Sequence, residues 1–357
     1  MHQLLVYLSL SVILVSSCKR ESEECCTEEV QTIEKSLTVD FAANFDLIKT
    51  NVGYSLEILN PENGEVENTF SIKTNDEYKI ISLSATLNGM ISILNEQNQL
   101  IGIDNGKFVF DTTILTNLQS NTTQYFGNET NISLEKIIAS NANIVFYNGF
   151  GDQFPNENKL VKLGITVVPI YDWRENHPLG KAEWIKLIGI ITGKEKEADA
   201  YFENVVAEYE SILEITDSLT KHPSALSGSI FGDIWYAPGG DSYFATLLKD
   251  AGANYIYSQT EGTASQEYSM EKIIKDNIKT DFWINTSMPS KEAVLKSNPK
   301  VKYLTAFPKN SYCYSNNMNK FWEQSAAMPH EVLRDLVQIF HPELMQDRKL
   351  YFYQKIK

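Results

Sequence analysis

The sequence predicts an α/β protein: two lobes with mostly parallel sheets, joined by one long rigid helix, with a ligand cleft between the lobes. Three observations predict it. Two stretches read as strand–helix–strand units, one helix–strand pair recurs, and one uninterrupted helical segment stands between the copies. The length of 357 residues fits this reading, at about 150 residues per domain.

The elements follow in chain order. Leu4 to Val15 is an apolar run ending in Ser16-Ser17-Cys18. As a helix it spans about 18 Å, too short for a bilayer core of about 30 Å, so a signal peptide is expected over 1–17. Val15-Ser16-Ser17-Cys18 resembles a bacterial lipobox, which implies that Cys18 is acylated and becomes the new N-terminus. Residues 18–35, rich in Glu, read as a solvated tether. Cys25 and Cys26 lie in it; adjacent cysteines would make a strained pair, so a bond between them is not expected. Cys313 reads as a small buried or strand-edge residue.

Tyr54 to Lys73 alternates polar and apolar around Asn60-Pro61-Glu62-Asn63-Gly64, a β-hairpin pattern leading an N-terminal lobe over 36–193. Tyr78 to Leu83 reads as a buried strand, Leu87 to Asn95 as a helix and Leu100 to Ile103 as the next strand. The C-terminal lobe, 221–357, repeats the unit: strand Ala225 to Phe231, loop Gly232 to Gly240, helix Asp241 to Asp250, strand Asn254 to Tyr257. The pair Ser133-Leu134-Glu135-Lys136-Ile137-Ile138 then Asn143 to Asn148 recurs as Ser269-Met270-Glu271-Lys272-Ile273-Ile274 then Thr280 to Asn285. Each is a Ser-capped helix with an early acidic residue, then a strand ending in Asn. Alternating strands and helices favour parallel sheets covered on both faces, hence two Rossmann-like lobes. Residues 194–220 contain no Gly or Pro and carry apolar residues at helical spacing from Ala198 to Leu213. Such a spine, about 40 Å long, argues against large hinge closure. The ligand site is expected beyond the carboxyl ends of the strands.

Composition excludes several classes. The balance of 31 Lys+Arg against 46 Asp+Glu, net −15, disfavours nucleic-acid binding. The histidines (His2, His177, His222, His330, His341) are dispersed without Cys neighbours, so no metal site or resident cofactor is expected. No nucleophile elbow, Walker loop or Gly-x-Gly-x-x-Gly follows a strand. Gly149-Phe150-Gly151-Asp152 reads as a tight turn. No enzyme is expected.

Candidate binding residues are aromatic side chains on the predicted cleft loops: Phe108, Phe110, Tyr147, Trp173, Trp235, Tyr236 and Trp322. Any one of them has core packing as its plain alternative. Trp235 and Tyr236 stand out because Pro238-Gly239-Gly240 closes their loop. Flat aromatic walls suit a macrocycle or planar chelate. Arg174 is the one arginine on these loops, out of four in the chain, and is available to an acidic ligand group. His177 beside Pro178 reads as a capping or packing residue, with axial approach to a metal centre as the alternative. One arginine cannot offset a tris-catecholate, so a neutral or weakly charged chelate is expected to bind better, with Lys107, Lys309 and Lys320 as opposing cations.

These residues carry a family resemblance. The lipobox, Ile80-Ile81-Ser82-Leu83-Ser84, the Ser133-to-Asn148 pair, the helical spine and Gly239-Gly240-Asp241-Ser242 with Ala251-Gly252-Ala253 resemble an ABC-importer substrate-binding protein. The branch is the one that handles iron–siderophore complexes, haem and cobalamin. Asp172 to Lys186 (DWRENHPLGKAEWIK), Phe321-Trp322-Glu323 and His341-Pro342-Glu343-Leu344 resemble Bacteroidetes-like lipoprotein versions of it. The resemblance spans about residues 75 to 345. It implies a periplasmic, lipid-anchored monomer that binds a metal chelate and delivers it to an inner-membrane ABC permease. It also implies an acidic permease-docking residue on each lobe, Asp241 on the second and Asp152 or Glu157 on the first. Capping of the following helix is the alternative for Asp241. Other functions compatible with the fold are a surface-exposed lipoprotein serving an outer-membrane receptor and a chelatase-like enzyme.

Overall fold

The computed structural model describes residues 37–74, 76–129, 131–150, 154–277, 279–314, 321–345 and 348–357. Cys18, Cys25, Cys26, Asp152 and Lys320 lie outside the described residues.

Antiparallel pairing comes first. Strands β1 (Phe45–Thr50), β2 (Gly53–Leu59) and β3 (Val66–Lys73) form a three-stranded meander. The expected hairpin is its second half; β1 is a further strand, paired along its whole length with β2. Tyr54, Leu56 and Ile58 on β2 are buried at the period of two that a one-sided sheet requires.

Five strands then form a wholly parallel sheet: β4 (Ile80–Ser82), β5 (Leu100–Ile103), β6 (Gln124–Tyr125), β7 (Ile144–Tyr147) and β8 (Thr166–Pro169). Their order is β6-β5-β4-β7-β8, so the winding reverses between β4 and β7. Ile80, Phe146 and Val168 enter the main core, whereas Ile81, Val145 and Val167 enter a second apolar cluster with Phe126, Phe154 and Leu160. Alternate residues therefore serve the two faces, as a doubly covered parallel sheet demands. The helices here are α1 (Ala85–Ile93), α2 (Thr112–Gln119), α3 (Leu134–Ala139) and α4 (Glu157–Lys162).

Helices α5 (Pro178–Glu183) and α6 (Ile185–Thr192) lead into α7 (Glu195–Thr216). The expected spine is thus 22 residues long, about 33 Å, and ends four residues before Thr220. Ala198, Phe202, Val205, Tyr209 and Ile212 form its buried stripe.

The second parallel sheet contains β9 (Ser224–Ser227), β12 (Asn254–Tyr255), β14 (Phe282–Thr286), β15 (Ser311–Tyr314) and an antiparallel edge strand, β16 (Tyr353–Lys355). Its order, β12-β9-β14-β15-β16, reverses between β9 and β14. The strand expected over Ala225 to Phe231 is broken at Gly228, whose φ is +132°. A Cβ there would meet the Tyr236 carbonyl oxygen at 2.2 Å, so glycine is required. Beyond it, β10 (Ser229–Phe231), β11 (Ile234–Ala237) and β13 (Gln266–Ser269) form a small antiparallel sheet. The loop expected over Gly232 to Gly240 therefore contains a strand. Helix α8 (Tyr243–Asp250) starts two residues later than expected, and Ser242 caps it by accepting from Ala245 N–H at 3.2 Å. Helices α9 (Met270–Asn277), α10 (Lys291–Ser297), α11 (Phe321–Gln324) and α12 (Pro329–Phe340) complete the chain. Cys313, on β15, is fully buried.

The repeat read from the sequence is structural. Ser133 accepts from Lys136 N–H at 3.2 Å at the start of α3, and Ser269 accepts from Lys272 N–H at 3.3 Å at the start of α9. Each helix precedes a central strand, β7 or β14.

Candidate functional site

Both sheets open a crevice where their strand order reverses, at the carboxyl ends of the strands. In the first sheet this crevice is a cavity of about 510 Å³, lined by Leu83 and Ser84 after β4, Asp104 after β5, Asn148 after β7 and Asp172 and Trp173 after β8. In the second it is a cavity of about 260 Å³, lined by Gly228 and Ser229 after β9, Tyr236 on β11, and Asn285 and Tyr314 at the ends of β14 and β15. Trp173 and Trp322 line both, so the two cavities adjoin across these rings. The larger alone, and the two together, fall within the range of about 300–1,000 Å³ usual for small-molecule sites.

Aromatic rings make the walls. Trp173 donates its indole N–H to the Asn148 carbonyl at 2.8 Å and packs on exposed Phe150 at 4.9 Å between centroids. Trp322 packs on Phe108 at 5.7 Å and on Tyr314 at 5.1 Å. Its indole N–H is buried and donates to no acceptor among the described residues.

The polar lining of the larger cavity is acidic. Asp172 and Lys181 are buried and ion-paired at 3.2 Å, with the Lys181 ammonium 4.5 Å over the Tyr243 ring. Burial alone would lower the Lys181 pKa, but the Asp172 charge and Tyr243 together raise it above its ordinary value. Lys181 is thus held protonated and matched. Asp104 and Glu129 are half-buried, and neither has an ion-pair partner among the described residues. Burial raises both carboxyls above their ordinary values; the Asn148 hydrogen bonds oppose this at Glu129, and the Asp104 charge adds to it.

The expected site residues divide. Phe108, Trp173, Tyr236 and Trp322 line the cavities. Trp235 does not: it is fully buried on β11, donates to the Ser227 carbonyl at 3.1 Å and packs on Trp283 at 4.9 Å. The strand inside the supposed loop turns it inward, and its neighbour Tyr236 toward the cavity. Tyr147 is buried too, packed on Phe154 at 5.0 Å in the second apolar cluster, and Phe110 lines neither cavity. Arg174 is already engaged. It pairs with Glu62 of the β2–β3 turn at 2.6 Å, donates to Thr263 Oγ1 at 2.9 Å and covers Trp173 at 5.2 Å. The exposed lysines Lys107 and Lys309 line neither cavity. Of the docking candidates, Asp241 is exposed and accepts from Gly262 N–H at 2.7 Å, so the cap expected of it belongs to Ser242. Glu157 is half-buried in the first turn of α4.

Sequence reasoning missed Asp104, Glu129, Asp172 and Lys181. Asp104 was findable, since it directly follows strand Leu100 to Ile103 at its carboxyl end. The segment Asp172 to Lys186 is mostly a clamp. Glu175 accepts from Ala43 N–H at 2.7 Å, Asn44 N–H at 3.3 Å and the Trp184 indole at 2.9 Å. Glu183 accepts from the N–H groups of Asp40, Phe41 and Ala42 and from the Lys186 ammonium, all at 2.7–2.9 Å. His177 caps α5 by accepting from Leu179 N–H at 3.1 Å, as expected of it.

Comparison with known proteins agrees with this architecture. A curated relative, an uncharacterized lipoprotein of Methanocaldococcus jannaschii, is 28% identical over 294 residues, covering 78% of this chain and 68% of the relative. Among solved structures, a periplasmic heme-binding protein of Pseudomonas aeruginosa has a TM-score of 0.61 at 15% identity, covering 78% of this chain and 98% of its own. An ABC-transporter substrate-binding protein of Listeria monocytogenes has a TM-score of 0.55 at 14% identity, covering 75% and 100%. The family model described as periplasmic binding protein matches residues 105–314, which hold β7, the long helix, β14 and most of both cavity linings. The chain belongs to the periplasmic binding protein family, whose members bind solutes.

Proposed function

We propose that this protein is the lipid-anchored solute-binding component of an ABC importer, holding a metal chelate between its two sheets and delivering it to an inner-membrane permease. The observation that carries the reading is the pair of adjoining cavities at the two strand-order reversals, walled by Trp173, Trp322, Phe108, Phe150, Tyr236 and Tyr314. Aromatic walls of this extent give a planar or macrocyclic ligand large contact area at low entropy cost. The heme-binding neighbour and the ABC-transporter neighbour support the ligand class and the partner. Cys18 is the anchor and Asp241 the docking residue of the second half, with Asp152 and Glu157 as candidates in the first.

Titration with haem, cobalamin and ferric siderophores, followed by Trp fluorescence and visible absorbance, tests the binding claim. Saturable quenching by one of them, lost in Trp322→Ala, is expected; no response to any sinks the chelate reading. Cys18→Ser should move the protein from the membrane to the soluble fraction, because two acyl chains supply the membrane affinity.

A further inference from the structure

Among the described residues, every formal charge on the lining of the two cavities belongs to Asp104, Glu129, Asp172 or Lys181. The smaller cavity carries none, being polar only through hydroxyls and amides such as Ser229, Thr263, Ser265 and Asn285. Asp172 and Lys181 neutralise each other at 3.2 Å. Arg174, the one arginine nearby, is spent on Glu62 and Thr263 and lines neither cavity. That leaves Asp104 and Glu129 as the two uncompensated charges of the site.

The remaining lining chemistry fits this. Asp104 accepts from Gly106 N–H at 2.9 Å and Glu129 from Asn148 N–H at 2.5 Å, which leaves acceptor capacity on both carboxylates. The rings of Phe108, Phe150, Trp173 and Trp322 stand around them, and ring faces attract cations. The buried Trp322 indole N–H, which has no acceptor among the described residues, suits a carbonyl or another neutral acceptor of the ligand. An anionic ligand would enter a half-buried negative site with no free cation among the described residues to meet it.

We infer that this cavity selects a chelate of zero or positive net charge, which places a positive group or hydrogen-bond donors against Asp104 and Glu129. The two carboxylates are therefore specificity residues: they discriminate against anionic chelates and supply little of the contact area. This inference rests on the chelate reading above and narrows it to one charge class.

A matched series tests it. Ferrioxamine B carries a pendant ammonium group; its N-acetyl derivative is neutral there and its N-succinyl derivative anionic, with the ferric trihydroxamate core unchanged. Cyanocobalamin and its monocarboxylic acid give a second matched pair. Each is titrated by Trp fluorescence into the whole protein, the D104N and E129Q variants and their combination. Salt is kept at about 0.15 M, where charges beyond about 8 Å are screened. For the series that binds, affinity should fall with added negative charge, by on the order of tenfold or more between the ammonium and succinyl forms, and that spread should shrink at least threefold in D104N/E129Q. If the double variant does not fold, the single variants should each show part of the loss. A flat series, a preference for the anionic member, or a spread unchanged in the variants overturns the inference alone. Binding of haem with neither series bound overturns this inference alone; failure of both series and of haem overturns the chelate reading and this inference with it.

Discussion

Asn148 and Asn285 do the same work in the two halves of the molecule. Each stands at the carboxyl end of a central strand and donates its amide back across the point where strand order reverses: Asn148 to the Leu83 carbonyl at 3.0 Å, Asn285 to Ser227 Oγ at 3.4 Å. Each lines its own cavity. The sequence repeat ends on these residues because a side chain must tie the two diverging strands together where the ligand crevice opens.

Asn285 has a φ of +68° and also accepts from Tyr353 O–H at 2.7 Å. Asparagine tolerates that conformation; alanine does not, at about 1–2 kcal/mol. Asn285→Ala should lose about 2–3 kcal/mol in urea unfolding, counting the lost hydrogen bond. Asn285→Gly should recover part of it, since glycine accepts the same φ. Equal losses in both would show that the backbone contributes nothing.

Trp235 and Trp322 separate packing from binding. Trp235 is fully buried, so Trp235→Ala should cost about 3–5 kcal/mol, with Trp235→Phe as the milder version if alanine prevents folding. Trp322 is half-buried on the cavity wall, so Trp322→Ala should destabilise less and weaken ligand binding at least tenfold. Melting curves and fluorescence titration of the two variants decide between these roles.

The contrast shows what was legible in the chain. Strands β5 and β7, the Ser-capped repeat and the long helix follow from local pattern alone, and so does the crevice at the strand ends. The role of Trp235 does not, because β11 pairs not only with β10 but with β13 some 30 residues later, and the strand so formed buries Trp235. The engagement of Arg174 is equally non-local: its partners Glu62 and Thr263 stand 112 and 89 positions away. The acidic lining of the cavity is a meeting of Asp104, Glu129 and Asp172 from three separate stretches after β5, β6 and β8, invisible to any window of sequence.

Glu62 is exposed while Arg174 is not, so their ion pair is worth little by itself, about 0–1 kcal/mol. Glu62→Gln should barely shift the melting temperature. Arg174→Ala should shift it further, because it also removes the bond to Thr263 and the cover over Trp173. Neither should change the preference between neutral and anionic chelates by more than about threefold, since Arg174 faces no ligand space. Differential scanning fluorimetry and the ligand series measure both.

His330, buried in the first turn of α12, is held neutral: burial, and then the Arg348 charge, push its pKa down to about 4. The unfolded chain takes up that proton near pH 6.5. Between those values the unfolded state holds more protons, so the contribution is complete above about pH 6.5 and lost as pH falls toward 4, up to about 3 kcal/mol. Glu175 acts oppositely. Burial raises it to about 7 against its backbone, Trp184 and Asn44 hydrogen bonds, so its contribution falls as pH rises from about 4.5 to 7. Denaturant unfolding of His330→Asn at pH 7 and pH 4.5, set against the unaltered protein, should show a smaller acid loss in the variant. An identical loss would mean that His330 titrates normally.

Asp241→Asn keeps an oxygen that can accept from Gly262 N–H and removes the charge that an arginine on a permease would meet. Melting temperature and ligand affinity should stay near normal while ligand uptake by cells slows several-fold. Normal uptake in Asp241→Asn combined with Glu157→Gln and Asp152→Asn would assign docking elsewhere.

The clamp by Glu175 and Glu183 has a mechanical consequence. Any pull transmitted down the chain to Leu37 meets five backbone N–H groups, from Asp40 to Asn44, gripped by two carboxylates. Lys186 adds a sixth grip on the Thr38 carbonyl at 2.8 Å. The load therefore passes into Glu175, α5 and α6 before it reaches β1. If Cys18 is the anchor proposed above, a load on it reaches β1 only after residues 38–44 are pulled free of Glu175, Glu183 and Lys186.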